Sequence, residues 1–173
     1  NGTTYWEGRH DGYTRLADPV THRRAVVGLG DGRWIVADSL DGAGAHDARL
    51  HWLLPDLPFD ASAHGVTLAT TAGAYSVSVW SDDAAATVVR GGESLAGWRS
   101  RRYGTREPAL ALELERRSAV RPRFVSVFAP QPVVLRACPD GVAFALGDAS
   151  IELQFGSDPA RPLLRTVRTL SSS

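Results

Sequence analysis

Apolar and polar residues alternate in short runs along the chain, the period of a strand with one face buried and one face wet. "HRRAVVGL" and "RWIVADSL" flank Gly30-Asp31-Gly32, and Asp-Gly between two such runs predicts a hairpin. "HDARLHWLL", "GVTLAT", "AYSVSVW", "AATVVR", "RFVSVFAP", "PVVLRA", "GVAFAL", "IELQF" and "LLRTVR" read in the same way. Turn-forming stretches punctuate them: "PDLPFD", "SDD", "GGES", "PQP", "CPDG" and "GSDPARP". "EPALALELERRSAV" has helical propensity, but Leu110, Leu112 and Leu114 recur at period two, which predicts a strand. Many short strands with regular turns and no alternating helices predict an all-β fold, an antiparallel β-sandwich.

The hairpin around Asp31-Gly32 fixes which polar side chains share a face. A two-residue loop sets Leu29 opposite Trp34, Val27 opposite Val36, Ala25 opposite Asp38 and Arg23 opposite Leu40. Arg23 and Asp38 are then diagonal neighbours on an otherwise apolar face, and a structural ion pair is expected between them. The functional reading of the same pair has Arg23 binding a substrate carboxylate or sulfate while Asp38 orients it. The same register places His22 opposite Asp41, as a surface hydrogen bond or as an oriented imidazole suited to proton transfer.

Metal chemistry has little local support. His46 and His51 are an odd number apart, so on one strand they point to opposite faces. No HxH, HExxH or CxxC spacing occurs, and Cys138 is the single cysteine. No metal site and no cofactor are expected in this chain, and no catalytic residue is assigned to it. "GLGDG" lacks the lysine and the following helix of a phosphate loop.

Composition narrows the function further. With 43% hydrophobic and 22% charged residues in 173 positions, one domain with its own core is expected. Formal net charge is zero, which provides no field to gather nucleic acid. No apolar run approaches the roughly 20 residues of a membrane-spanning helix. All of the basic residues are arginine, so lysine-based nucleophilic chemistry is excluded within this chain. The chain opens on Asn1 and has no methionine; it is expected to be a piece of a longer protein.

Aromatic residues supply the remaining candidates. In "GWRSRRYGTRE", Trp98 and Tyr103 stand among Arg99, Arg101 and Arg102, a combination that suits sugar faces and anions. Trp34, Trp52 and Trp80 lie within strand patterns, where packing into the core is expected. Trp6 and Trp98 lie outside them and are the tryptophans expected to be free as a platform.

The ordered series "HDGYTRL…THRRAVVGLGDGRWIVADSLDGAGAHDARLHWLLPD", followed by "GWRSRRYGTREPALALELERRSAVRPRFVSVFAP", resembles the C-terminal β-sandwich of heparinase II/III-like polysaccharide lyases, a family with alginate-lyase-like members. The resemblance implies a supersandwich-like piece of a larger sandwich domain, spanning residues 1–173. A helical toroid and the first sandwich strands are expected upstream. The family cleaves uronic-acid polysaccharides by β-elimination, with Tyr, His and Asn drawn mainly from the toroid and those first strands. Some members also carry zinc there. None of those motifs is found in this chain, so no catalytic residue is carried over. The expected partners are an acidic polysaccharide and the upstream part of the same protein, with neither nucleic acid nor membrane. The expected location is periplasmic or secreted. Residues expected near substrate are His10, Tyr13 and Arg23, with Trp98 and Tyr103 in the later loop. The reading from a different class is a non-catalytic carbohydrate-binding module. A sandwich separated from its first strands is expected to show open apolar edges that self-associate or bind the missing part.

Overall fold

The computed structural model describes residues 2–92, 95–156, 158 and 161–171, with side chains through residue 165. Parts of the "GGES" and "GSDPARP" turns lie outside the described residues, as do the side chains of "TVR" in "LLRTVR". Among the described residues there is no helix. The strands are β1 (Thr4–Tyr13), β2 (Val20–Gly30), β3 (Arg33–Asp41), β4 (Ala45–Leu54), β5 (Phe59–Ser62), β6 (Gly65–Thr70), β7 (Gly73–Trp80) and β8 (Ala86–Arg90). They continue as β9 (Trp98–Arg99), β10 (Glu107–Pro108), β11 (Leu110–Val120), β12 (Arg123–Ala129), β13 (Arg136–Cys138), β14 (Gly141–Leu146), β15 (Ala149–Phe155) and β16 (Leu164–Ser171).

A seven-stranded antiparallel sheet in the order β1-β2-β3-β12-β7-β6-β5 forms the middle of the molecule. Alternation along its strands sends side chains to two different cores. Ala25, Val27, Ile35, Ala37, Val125 and Val127 point to one face. There they meet Val142, Phe144, Ile151, Leu153 and Phe155 of the β13-β14-β15-β16 sheet. Val66, Leu68, Val77, Val79 and Phe124 point the other way, onto Leu50, Leu54, Leu110, Leu112 and Leu114 of the β4-β11-β8 sheet. The expected all-β antiparallel sandwich is therefore present, built as a central sheet with a smaller sheet on each face. β11 is a strand, and its three leucines are essentially fully buried.

Buried polar atoms find partners across these layers, as burial favours. Trp52 Nε1 donates to Ser126 Oγ at 2.9 Å, and the Val133 amide donates to Ser78 Oγ at 2.9 Å.

The small sheet of β4, β11 and β8 does not cover the whole central sheet. Its core residues pack on β6, β7 and β12, while, the buried Val20 apart, the same face of β1 and β2 carries half-buried and exposed side chains. β4 thus overhangs an open strip of β1, β2 and β3, and a cleft forms along that overhang.

The hairpin register departs from expectation by one residue. Gly30 pairs with Arg33 around Asp31-Gly32, but the next pair is Gly28 with Trp34. Leu29 is the extra residue of a bulge, and Gly30, Asp31 and Gly32 all have positive φ, at 82°, 51° and 71°. A glycine with positive φ beside a tight loop is the backbone that such a bulge needs. The slip moves β2 by one position against β3, so Arg24 faces Asp38, Arg23 faces Ser39 and His22 faces Leu40.

Candidate functional site

The bulge decides the chemistry of the cleft, because it places His22, Arg24, Asp38 and Leu40 on the same open face. Asp38 is buried, at 3% exposure. Its Oδ1 accepts from Arg24 Nε at 2.7 Å, and its Oδ2 accepts from Arg24 Nη2 at 3.1 Å. His22 Nε2 lies 2.6 Å from the same Oδ1. The Arg24 guanidinium also stands 5.1 Å from the Trp52 ring centroid, over its face. One carboxylate thereby fixes both an arginine and an imidazole, and it leaves His22 Nδ1 as the ring nitrogen not engaged by Asp38. Held this way, the ring can exchange a proton or a hydrogen bond through Nδ1.

These residues line a cleft of about 460 Å³ between β4 and the β1–β3 part of the central sheet. Tyr13, Leu16, Val20 and Leu40 give it apolar surface, and β4 closes it with the stretch from His46 to His51, of which His46, Ala48 and Leu50 share the inward face. His51 Nε2 and Arg49 Nη1 lie 3.9 Å and 3.7 Å from Glu113 Oε1 on the adjacent strand. His46 Nε2 is 3.1 Å from Asp18 Oδ2, yet out of line for a hydrogen bond, so it remains buried with proximity alone. His22 and His46, each set against a carboxylate, and the Asp38-bound Arg24 make this a polar, charge-balanced concavity, while Arg49 and His51 lie with Glu113 on the outward face of β4 and β11. Among the described residues no group of three or more His, Cys, Asp or Glu side chains could hold a metal ion.

The residues expected from sequence fall in three places. Tyr13 lines the cleft, and His10 packs edge-on against it at 5.7 Å between ring centroids. A second bulge, between His10 and Tyr13, turns Tyr13 onto the same face as Val20.

Arg23 is elsewhere, and both expectations for it are corrected. It does not pair with Asp38, because the Leu29 bulge turns it to the opposite face of the sheet. It does not reach substrate either, being 4% exposed. Its Nη2 donates to Glu7 Oε1 at 2.6 Å and to the Arg161 carbonyl. Glu7 in turn accepts from the Leu163 amide at 2.8 Å and from the Tyr5 hydroxyl. This network ties β1 and β2 to the segment that leads into β16.

Trp98 and Tyr103 lie at the far end of the molecule. Pro108 pairs with Trp98, and Leu110 pairs with Leu54, whereas His46 in the cleft pairs with Ala119. Nine residues of strand separate those two points on β11, or about 30 Å. The Arg106 guanidinium covers the Trp98 ring at 4.0 Å, and Glu107 pairs with Arg99 and Arg101 at 3.1 Å and 3.5 Å. Trp98 is therefore not a free platform, while Tyr103 is fully exposed. Trp34, expected in the core, is instead 46% exposed.

The Glu7 network has a pH signature. Burial alone would raise the Glu7 carboxyl, but the Tyr5 hydroxyl, the Leu163 amide and Arg23 outweigh it and hold it below its ordinary 4.5. Burial and the Glu7 carboxylate push Tyr5 up to about 12. A carboxyl lowered by folding adds stability above its unfolded value and loses it as pH falls through the folded one. Melting temperatures measured from neutral pH down to about pH 3 should fall less steeply in Glu7→Gln than in the parent chain. Equal slopes would remove Glu7 from the acid response.

Comparison with known proteins places this architecture. A family model described as heparinase II/III-like, C-terminal, matches residues 1–132. No curated protein matches the chain. A crystal structure of heparinase III superposes with a TM-score of 0.68 at 12% identity, covering 87% of this chain and 25% of that one. The heparan sulfate lyase HepC from Pedobacter heparinus superposes with a TM-score of 0.63 at 14% identity, covering 99% of this chain and 26% of that one. The chain spans about a quarter of the length of these solved relatives, and at such identities the likeness is one of fold. The family match covers β1 to β12, including the bulged hairpin and the cleft, and on that match the chain belongs to the heparinase II/III-like C-terminal family.

Proposed function

We propose that this chain is the β-sandwich portion of a lyase that cleaves uronic-acid-containing polysaccharide by β-elimination, and that its cleft forms one wall of the substrate groove. The observation that carries the reading is the cleft itself. In it, Arg24 and His22 are held by one buried carboxylate beside Tyr13 and His46. Elimination needs neutralisation of the uronate carboxylate, removal of the C5 proton and protonation of the departing glycosidic oxygen. Fixed cations and imidazoles along a groove suit the first of these needs, and an acidic polymer is the ligand that their chemistry selects. The family membership and the solved relatives, one a heparinase III and one a heparan sulfate lyase, favour glycosaminoglycans over alginate.

The test is to incubate the chain with heparan sulfate, heparin and alginate. Binding is followed by calorimetry, and elimination by the ultraviolet absorbance of the unsaturated uronate. We expect binding of glycosaminoglycan without elimination by this chain alone. Absence of binding to all three polymers would sink the groove assignment. Elimination by the chain alone would move the catalytic groups into it, with His22 and Tyr13 the first to be replaced. The second reading, a carbohydrate-binding module without lyase activity, is favoured by the exposed tryptophans of the open sheet face. It predicts binding of neutral sugars as well.

A further inference from the structure

The cleft is one end of a longer feature. On the open face of the central sheet the residues of β2 run Gly28, Val26, Arg24, His22, Val20, and their neighbours on β1 are Thr4, Trp6, Gly8, His10 and Tyr13. Trp34 stands beside Gly28 on β3. From Gly28 to Val20 this strip is eight residues long, or about 27 Å.

Two tryptophans reach across glycines of the strip, and the missing side chains make room for them. A Cβ at Gly8 would lie 2.6 Å from the Trp6 ring, and a Cβ at Gly28 would lie 3.0 Å from the Trp34 ring. Each indole therefore rests on backbone where any other residue would prop it up. Each also keeps much of its surface open, with Trp6 59% and Trp34 46% exposed. Beyond Trp34 a second concavity of about 220 Å³ is lined by Thr4, Gly28, Gly30, Gly32 and Arg33. The strip thus reads, in order, Trp34, Trp6, Arg24, His22, Tyr13: two aromatic side chains, then the charged cleft.

We infer that this face is a track for an extended acidic glycan, on which Trp34 and Trp6 stack sugar rings while Arg24 at the cleft end meets an acidic substituent. The inference rests on the polysaccharide reading above and adds to it a second, aromatic subsite with a direction along β2. Indoles this exposed suit the apolar face of a pyranose ring. Arg24 beyond Trp6 suits a polymer that carries acidic groups along its length. The strip is continuous with the cleft, so one ligand can occupy both.

Heparan sulfate fragments of two lengths, a disaccharide and an octasaccharide, are titrated into the purified chain and into Trp6→Ala, Trp34→Ala, Trp6→Phe and Trp98→Ala. Circular dichroism is used to check the fold of each variant. Octasaccharide affinity should fall roughly tenfold in each alanine variant at positions 6 and 34, recover in part in Trp6→Phe and stay unchanged in Trp98→Ala. Disaccharide affinity, set by the cleft, should be unaffected by Trp34→Ala. Gly8→Val keeps both indoles but lifts Trp6 off the sheet, so it should weaken the octasaccharide as Trp6→Ala does. If the octasaccharide binds and none of these variants weakens it, the track is overturned and the cleft reading survives. If neither fragment binds, both fall. If sedimentation shows a dimer in which the tryptophans are shielded from a soluble quencher, the face is an interface between copies and the track is again overturned.

Discussion

Arg23→Ala is expected to destabilise the chain by about 3 kcal/mol, with a fall in melting temperature of roughly 6–12 °C for a chain of this size. The cause is not the loss of an ion pair as such, since a buried pair contributes little net stability against a well-packed apolar replacement. The cost lies in what the truncation leaves behind. The Arg161 carbonyl loses its donor, and the Glu7 carboxylate, one-fifth exposed, loses the guanidinium 2.6 Å away. Because Glu7 also holds the Leu163 amide, its disturbance loosens the attachment of β1 and β2 to the four-stranded layer. Arg23→Ala combined with Glu7→Gln should therefore cost less than the sum of the two single changes, since the second change removes the stranded charge. Denaturant midpoints for the four proteins decide the matter. A loss below about 1 kcal/mol for Arg23→Ala, or strict additivity, would mean that water reaches Glu7 and that the network is not a structural tie.

The parts of the fold that two-fold alternation encodes were legible before any coordinates. Residues 110–120 carry good helix formers, yet Leu110, Leu112 and Leu114 face one core, so the period prevailed over propensity. Illegible were the strands with no buried face to pattern them. β1 is polar and aromatic with no position fully buried, and the four residues of β5 are all exposed. Both are the outer strands of the seven-stranded sheet, where packing imposes little alternation. The site was half legible for a different reason. Tyr13, His22 and Asp38 were each singled out, but their grouping depends on a single extra residue, Leu29. The signal was in the sequence: glycines on both sides of Asp31 fit a bulged hairpin as well as a simple two-residue loop. Taking the simpler loop moved Arg23 onto the face that Arg24 occupies. The contribution of β4 could not be read locally, since it depends on where one sheet overhangs another.

Asp38→Asn is expected to lower stability by about 2–4 kcal/mol, while His22→Ala should cost only about 1 kcal/mol. Asparagine fills the same space but offers one acceptor oxygen where Asp38 offers two, and Asp38 uses both toward Arg24. In either orientation the amide NH2 faces an Arg24 N–H, at Nη2 or at Nε, so at least one buried contact turns from attraction to a clash of donors. Arg24 also loses its counter-ion, a loss that solvent softens because its side chain is 36% exposed. Removing His22 leaves the two-bond Arg24–Asp38 pair intact and opens a site that water can fill, since the imidazole is 29% exposed. Double-mutant cycles order the two links directly. Coupling between positions 24 and 38 should exceed coupling between 22 and 38, because the first link is bidentate and backed by Trp52 and the second is a single contact. The reverse order would make His22 the anchor of the cleft. The arginine would then be the group left free to follow a ligand, and the acidic sugar would be met by a moving cation in place of a fixed one.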